Sequence, residues 1–185
     1  MVGGGGFRTP QMFQALAADS DRLITELVLV DAEPSRLAVI EPVIAGLAQE
    51  ESATNPLTVR TTTDLADALP GAHFVFSTMR VGGTEARALD EEIALEHGVL
   101  GQETVGPGGL AFALRTIPEA RRLAEAIAKH APNAWTINFT NPAGVITQAM
   151  RESLGDRVVG ICDTPVGLVN RIAELTGATV TSVDY

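Results

Sequence analysis

Short apolar runs recur along this chain, and between them apolar residues fall at helical spacing. Met1-Val2 followed by Gly3-Gly4-Gly5-Gly6 reads as the end of a buried strand entering a glycine turn. Thr9-Pro10 supplies an N-cap and a first-turn proline, and Met12, Phe13, Leu16 and Ala17 mark one face of a short helix. ELVLVD (Glu26 to Asp31) predicts a compact strand that ends in a carboxylate. Pro34 opens a helix with Leu37, Ile40, Val43, Ile44 and Leu47 on its apolar face, weakened by Pro42 and Gly46. LTVRT (Leu57 to Thr61) alternates as a strand, and Asp64 to Leu69 predicts a short helix stopped by Pro70-Gly71.

The second half repeats the rhythm. HFVFST (His73 to Thr78), AWTINF (Ala134 to Phe139) and VVGI (Val158 to Ile161) predict strands, and Gly109 to Lys129 predicts a long helix. Asn141-Pro142 opens a helix through Val145, Ile146 and Met150, and Pro165 opens another through Val169, Ile172 and Leu175. Thr179 to Tyr185 reads as one more strand. Strands that alternate with helices and are apolar on both faces predict a parallel sheet covered on both sides. No repeat or low-complexity linker divides the 185 residues, so one α/β domain, residues 1–185, is expected: a Rossmann-like doubly wound parallel sheet. Ligands of such a sheet gather at the carboxyl ends of its strands. Gly3 to Gly6, Asp31, Ser77 to Arg80, Asn138 to Asn141 and Cys162-Asp163 all follow predicted strand ends, which assigns them to one crevice.

Composition narrows the partners. With 45% hydrophobic and 19% charged residues the chain is globular. A net charge of -10 without a Lys/Arg cluster disfavours a nucleic-acid backbone or an anionic membrane, and leaves small molecules. An anionic ligand needs a local positive pocket, for which Arg80, Arg87 and Arg115 are candidates. One cysteine excludes an internal disulfide, and no signal core or run of about eighteen apolar residues occurs, so the cytoplasm is the expected compartment.

The stretch from Arg80 to Gly109 departs from core composition: Arg80, Arg87, Asp90, Glu91 and Glu103 are costly to bury unpaired, and glycines among them allow close approach of backbone. Glycines between a first strand and a first helix admit a pyrophosphate, and Asp31 can accept hydrogen bonds from ribose hydroxyls while repelling a 2′-phosphate. NAD is therefore preferred to NADP, with Arg36 close enough to blur the distinction. In NFTNP, Asn141 before Pro142 suits an N-cap, and side-chain amides there can also orient a ligand hydroxyl. Cys162 beside Asp163 at a strand end can ligate a divalent metal, or be a small buried hydrophobe. His73, His97 and His130 offer no evident second ligand.

Taken together, GGGGFRTP, RVGG…EAR…DE…GVLGQETVGPGG, NFTNPAG and GICDTPVG resemble glycoside hydrolase family 4, the NAD- and metal-dependent 6-phospho-glycosidases. The likeness runs through the whole chain, and RVGGTEARALDE is closer to the 6-phospho-β-glucosidases. The resemblance implies a lactate/malate dehydrogenase-like NAD-binding domain. It assigns Gly3, Gly4, Gly5, Gly6 and Asp31 to NAD, and Arg80 to the cofactor or the substrate phosphate. Arg87, Asn141 and Asn138 are expected to contact substrate, and Cys162 to ligate a divalent metal, manganese first. Glu103 is expected to raise the basicity of a catalytic tyrosine, and Asp163 to protonate the leaving oxygen. The implied chemistry lies outside the two-carboxylate scheme of most glycosidases. Oxidation at C3 by NAD acidifies the C2 proton, a metal stabilises the enediolate, the glycosidic oxygen leaves, water adds and the hydride returns. The implied substrate is a phosphorylated disaccharide or glycoside, and the full-length protein is expected to self-associate. Full members are more than twice as long. The chain is thus expected to be an N-terminal fragment, cut in the first strand and lacking an Asn-His pair, the tyrosine and the C-terminal substrate domain, and inactive alone.

Three alternatives stand beside this reading. A 6-phospho-α-glucosidase or α-galactosidase of the same family would carry the same motifs. A lactate/malate-type 2-hydroxy-acid dehydrogenase would share the fold but leave GQETVGPGG unexplained. A dinucleotide-sensing module without chemistry would use the glycine turn alone.

Overall fold

Val2 pairs in parallel with both Val30 and Ser77, and so stands where the central strand of the sheet belongs. The structure, a computed structural model, describes residues 1–21, 23–50 and 57–180. On one side of Val2 lie β1 (Glu26–Val30) and β2 (Thr58–Thr62); on the other lie β3 (Phe74–Ser77), β4 (Trp135–Asn138) and β5 (Val158–Gly160). All pairings are parallel, and the order is β2-β1-Val2-β3-β4-β5. With Val2 counted as a strand, this is the doubly wound dinucleotide-binding order, whose direction reverses at Val2. The glycine turn leaves the sheet at that reversal.

Seven α-helices accompany the strands among the described residues: α1 (Thr9–Ala17), α2 (Pro34–Glu50), α3 (Leu65–Ala68), α4 (Gly83–Glu96), α5 (Gly106–His130), α6 (Ala143–Leu154) and α7 (Asp163–Thr176). Two cores result. Phe13 of α1 and Leu37, Ile40 and Ile44 of α2 bury against Leu27 and Leu29. Ala120, Leu123, Ala124 and Ile127 of α5 and Ile146, Met150 and Leu154 of α6 bury with Val2, Val30, Val75 and Val158. Each large side chain in these cores contributes about 1.5–3 kcal/mol of transfer free energy. That is why α2 runs on through Pro42: the burial of Ile40 and Ile44 on either side outweighs the lost backbone hydrogen bond.

The structure corrects several sequence expectations. The long helix begins at Gly106 rather than Gly109, because the first turn of α5 packs on the loop before it: a Cβ on Gly108 would lie 2.4 Å from the Gln102 carbonyl oxygen, and one on Gly109 2.4 Å from the Thr104 carbonyl carbon. The expectation of a sheet covered on both faces holds around Val2 and β1 but not over β3–β5. There Phe74, Trp135, Val159 and Ile161 are 56, 47, 42 and 43% exposed, while Val75, Thr136 and Val158, which point to the other face, are buried. Of the strand expected from Thr179 to Tyr185, Thr179 and Val180 have no regular structure and the rest lies outside the described residues. No helix among the described residues is long and apolar enough to cross a membrane.

Candidate active site

The turn after Val2 is packed from both sides. The N–H groups of Gly3 and Gly4 both donate to the Val30 carbonyl at 2.8 Å, and Gly6 N–H donates to the Gly3 carbonyl at 3.1 Å. A Cβ on Gly3, whose φ is +85°, would meet the Thr78 carbonyl at 2.7 Å, and one on Gly5 would meet Arg36 Cβ at 2.4 Å. The glycines therefore let the turn lie flat between β1 and the end of β3. Thr9 does not cap α1: it is buried, and its hydroxyl donates to the Gly4 carbonyl at 2.7 Å. The N-cap of α1 is Arg8, with no side-chain cap hydrogen bond and no acidic residue in the first turn. Thr9 N–H is bonded to the Gly6 carbonyl at 3.1 Å and Pro10 has no N–H, so the start of α1 offers chiefly the positive end of its helix dipole, which suits a pyrophosphate, and NAD fits this turn.

Asp31 closes the turn. Its Oδ2 accepts the Gly5 N–H at 3.0 Å and its Oδ1 accepts the Glu33 N–H at 3.1 Å. Each oxygen keeps a further lone pair for a ribose hydroxyl. Arg36 reaches from α2 toward the start of α4, where a Cβ on Gly83 would lie 3.6 Å from its Nη2.

The charged stretch after β3 folds onto itself. Glu103 gathers two arginines: its Oε1 lies 2.6 Å from Arg80 Nη1, out of line for a hydrogen bond, and 3.8 Å from Arg87 Nη1. Arg87 Nε also donates to Glu91 at 2.8 Å, and this bond, followed by the charge of Glu103, raises the Arg87 pKa above its ordinary value. Arg115, a sequence candidate for anion binding, is spent on structure. It grips both oxygens of Asp90, at 3.2 and 2.6 Å, and its Nε donates to the Val81 carbonyl at 3.1 Å. Phe112 lies beneath the guanidinium groups of both Arg80 and Arg115, each 5.7 Å from the ring centroid.

The two asparagines of NFTNP separate. Asn138 is fully buried; its Nδ2 donates to the carbonyls of Thr140 and Ala143 and to the Thr147 hydroxyl, and its Oδ1 accepts the Thr140 N–H. Its amide is committed to the loop it belongs to, whereas substrate contact was expected of it. Asn141 does not cap α6, whose N-cap is Pro142 with no side-chain cap bond, so its partly exposed side chain remains available at the loop surface. Thr140, unremarked in the sequence, ties this loop to β3 through its hydroxyl, which bonds Ser77 Oγ at 3.0 Å and accepts the Met79 N–H at 2.9 Å.

Cys162 is exposed, not a buried hydrophobe. It precedes α7, and its Sγ lies 3.9 Å from Asp163 Oδ1. The other oxygen of Asp163 accepts a hydrogen bond from Arg8 Nη2 at 3.0 Å, which joins the start of α7 to the start of α1. Sequence reasoning missed Arg8 because FRTP carries no spacing signal for a partner 155 positions away. A thiol and a carboxylate side by side suit a divalent cation, but no group of three or more His, Cys, Asp or Glu side chains gathers among the described residues. Cys162, Asp163, Arg8 and Thr147 line one open cavity of about 1370 Å³ between α1, α6 and the β5–α7 junction.

A family model described as family 4 glycosyl hydrolase matches residues 1–178. The chain belongs to that family. It is 41% identical over 187 residues to a probable 6-phospho-beta-glucosidase of Bacillus subtilis (strain 168), covering 99% of this chain and 42% of the relative. Among solved structures it resembles a 6-phospho-alpha-glucosidase from gut microorganisms in complex with NAD and Mn2+, at 33% identity and a TM-score of 0.88, over 96% of this chain and 41% of that one. It also resembles the Thermotoga maritima 6-phospho-beta glucosidase with manganese, NAD+ and glucose-6-phosphate, at 31% identity and a TM-score of 0.86, over 96% and 43%. The lactate dehydrogenase of Eimeria maxima, at 18% identity and a TM-score of 0.58, shares the fold alone. Family membership removes the dehydrogenase reading. The chain spans about two fifths of the length of these family 4 relatives.

Proposed function

We propose that this chain is the nucleotide-binding part of a glycosidase that hydrolyses 6-phospho-β-glucosides. The observation that carries the reading is the Arg8–Asp163 pair, which joins the start of α1, where the glycine turn ends, to the exposed thiol of Cys162. The relatives with NAD, manganese and glucose-6-phosphate support the same ligand classes here.

When bound, NAD and a divalent cation supply hydride acceptance at C3 and Lewis-acid stabilisation of the enediolate that follows loss of the C2 proton. The residues of this chain do the rest of the positioning. Gly3 to Gly6 and the N-terminus of α1 seat the pyrophosphate, and Asp31 takes the ribose hydroxyls. Arg80 and Arg87, drawn together by Glu103, supply guanidinium donors to the sugar phosphate, and Asn141 orients a sugar hydroxyl. Cys162 supplies one metal ligand. Asp163, beside Cys162, gives a proton to the leaving oxygen. Glu103 raises the basicity of a tyrosine supplied by a part of the protein outside these residues.

Turnover of a 6-phospho-β-glucoside by the full-length protein in deuterated water, with NAD and Mn2+, is expected to place deuterium at C2 of the glucose 6-phosphate product. Product without deuterium rejects the elimination route. The α-linked substrate in the same assay decides the anomer.

A further inference from the structure

We propose that Arg8 couples the nucleotide turn to the Cys162–Asp163 pair, so that a bound dinucleotide raises the affinity for a divalent cation and the cation raises the affinity for the dinucleotide. The inference rests on the proposed reading that both ligands bind here. Arg8 is the N-cap of α1, one residue beyond Phe7 and the glycine turn. The backbone leading to it has little freedom, because Gly3 and Gly4 are bonded to Val30, Gly6 to Gly3, and the Thr9 hydroxyl to Gly4. Its guanidinium lies 4.5 Å from the Phe139 ring centroid and 5.1 Å from that of Phe7, a stacked setting that fixes its plane. From there Nη2 reaches Asp163 Oδ2 at 3.0 Å, while the opposite oxygen of Asp163 faces the Cys162 thiol.

The pair is partly exposed, with side-chain exposures of 35% for Arg8 and 59% for Asp163, so its contribution to folding stability is small. Its consequence is for ligands. In the free protein Arg8 neutralises the carboxylate beside the thiol and opposes a cation arriving there. Arg151, the other arginine lining the same cavity, is paired with Asp156 instead. Phosphates seated on the N-terminus of α1 offset the charge of Arg8, and a cation arriving beside Cys162 then meets less opposition. Linkage makes the effect reciprocal.

The test is titration of the full-length protein with Mn2+ by calorimetry, with and without saturating NAD. In the unaltered protein NAD is expected to tighten Mn2+ binding about fivefold or more. In Arg8→Ala the nucleotide-free Mn2+ affinity is expected to rise to the value otherwise seen with NAD, and added NAD to change it by less than about twofold. Arg8→Lys, which keeps the charge, is expected to restore part of the coupling. A merely structural role would weaken Mn2+ binding in Arg8→Ala, and that result, or coupling unchanged by the substitution, overturns the inference while leaving the proposed function in place. Mn2+ binding that is unaffected by Cys162→Ser overturns both.

Discussion

The backbone N–H of Gly5 donates to Asp31 Oδ2 at 3.0 Å, so a carboxylate at the end of β1 fastens the turn that follows Val2. Asp31→Ala removes this bond and the one from Glu33, and takes away the acceptor proposed for the ribose. Hydrogen bonds to a charged group are worth about 1.5–3 kcal/mol, so NAD affinity is expected to fall at least about tenfold, read by calorimetry. An unchanged affinity would remove Asp31 from the nucleotide site.

Asp90→Ala or Arg115→Ala is expected to loosen the junction of β3, α4 and α5 and to lower unfolding free energy by about 2 kcal/mol, measured by urea denaturation. The double variant should cost little more than Arg115→Ala alone, because that substitution already deletes the bidentate contact. Asp90 raises the Arg115 pKa, chiefly through its hydrogen bond. The guanidinium holds its proton more tightly folded than unfolded. On the alkaline side its contribution is therefore present below the ordinary arginine value and is lost only as pH rises past the folded one, so the difference between variant and parent should be flat through neutral pH.

Asn138→Ala leaves the Thr140 N–H without its side-chain acceptor inside the loop that carries Asn141. A loss of about 1–3 kcal/mol of stability is expected. Deletion of a substrate contact alone would instead raise KM and leave the denaturation midpoint in place, which would restore the direct role first expected of this residue.

Cys162→Ser in the full-length protein is expected to lower kcat/KM by about two orders of magnitude or more, the scale seen when one transition-state stabiliser is removed. The exposed thiol should be alkylated readily in the free protein and protected by Mn2+. Alkylation at the same rate with and without the metal would place the cation elsewhere.

The spacing of apolar residues was sufficient to order the five strands and most of the helices, because a buried strand or an amphipathic helix writes its period locally into the chain; it missed α4, which buries only Ala94 and so carries little apolar period. The position of the glycine turn, Asp31 and the Cys162-Asp163 pair was legible for a related reason: each sits at a strand end, and a parallel sheet brings its strand ends to one edge. Which polar side chains face that edge was not legible. Asn138 and Arg115 looked like ligand groups and are bonded within the protein, while Arg8, given no role by the sequence, reaches Asp163. Alternation along a strand marks which residues share a face, but only packing decides which face a helix covers, as the exposed rings of Phe74 and Trp135 show. A local pattern records burial. The partner of a charge is set by the three-dimensional meeting of segments far apart in sequence, and only the tertiary structure supplies it.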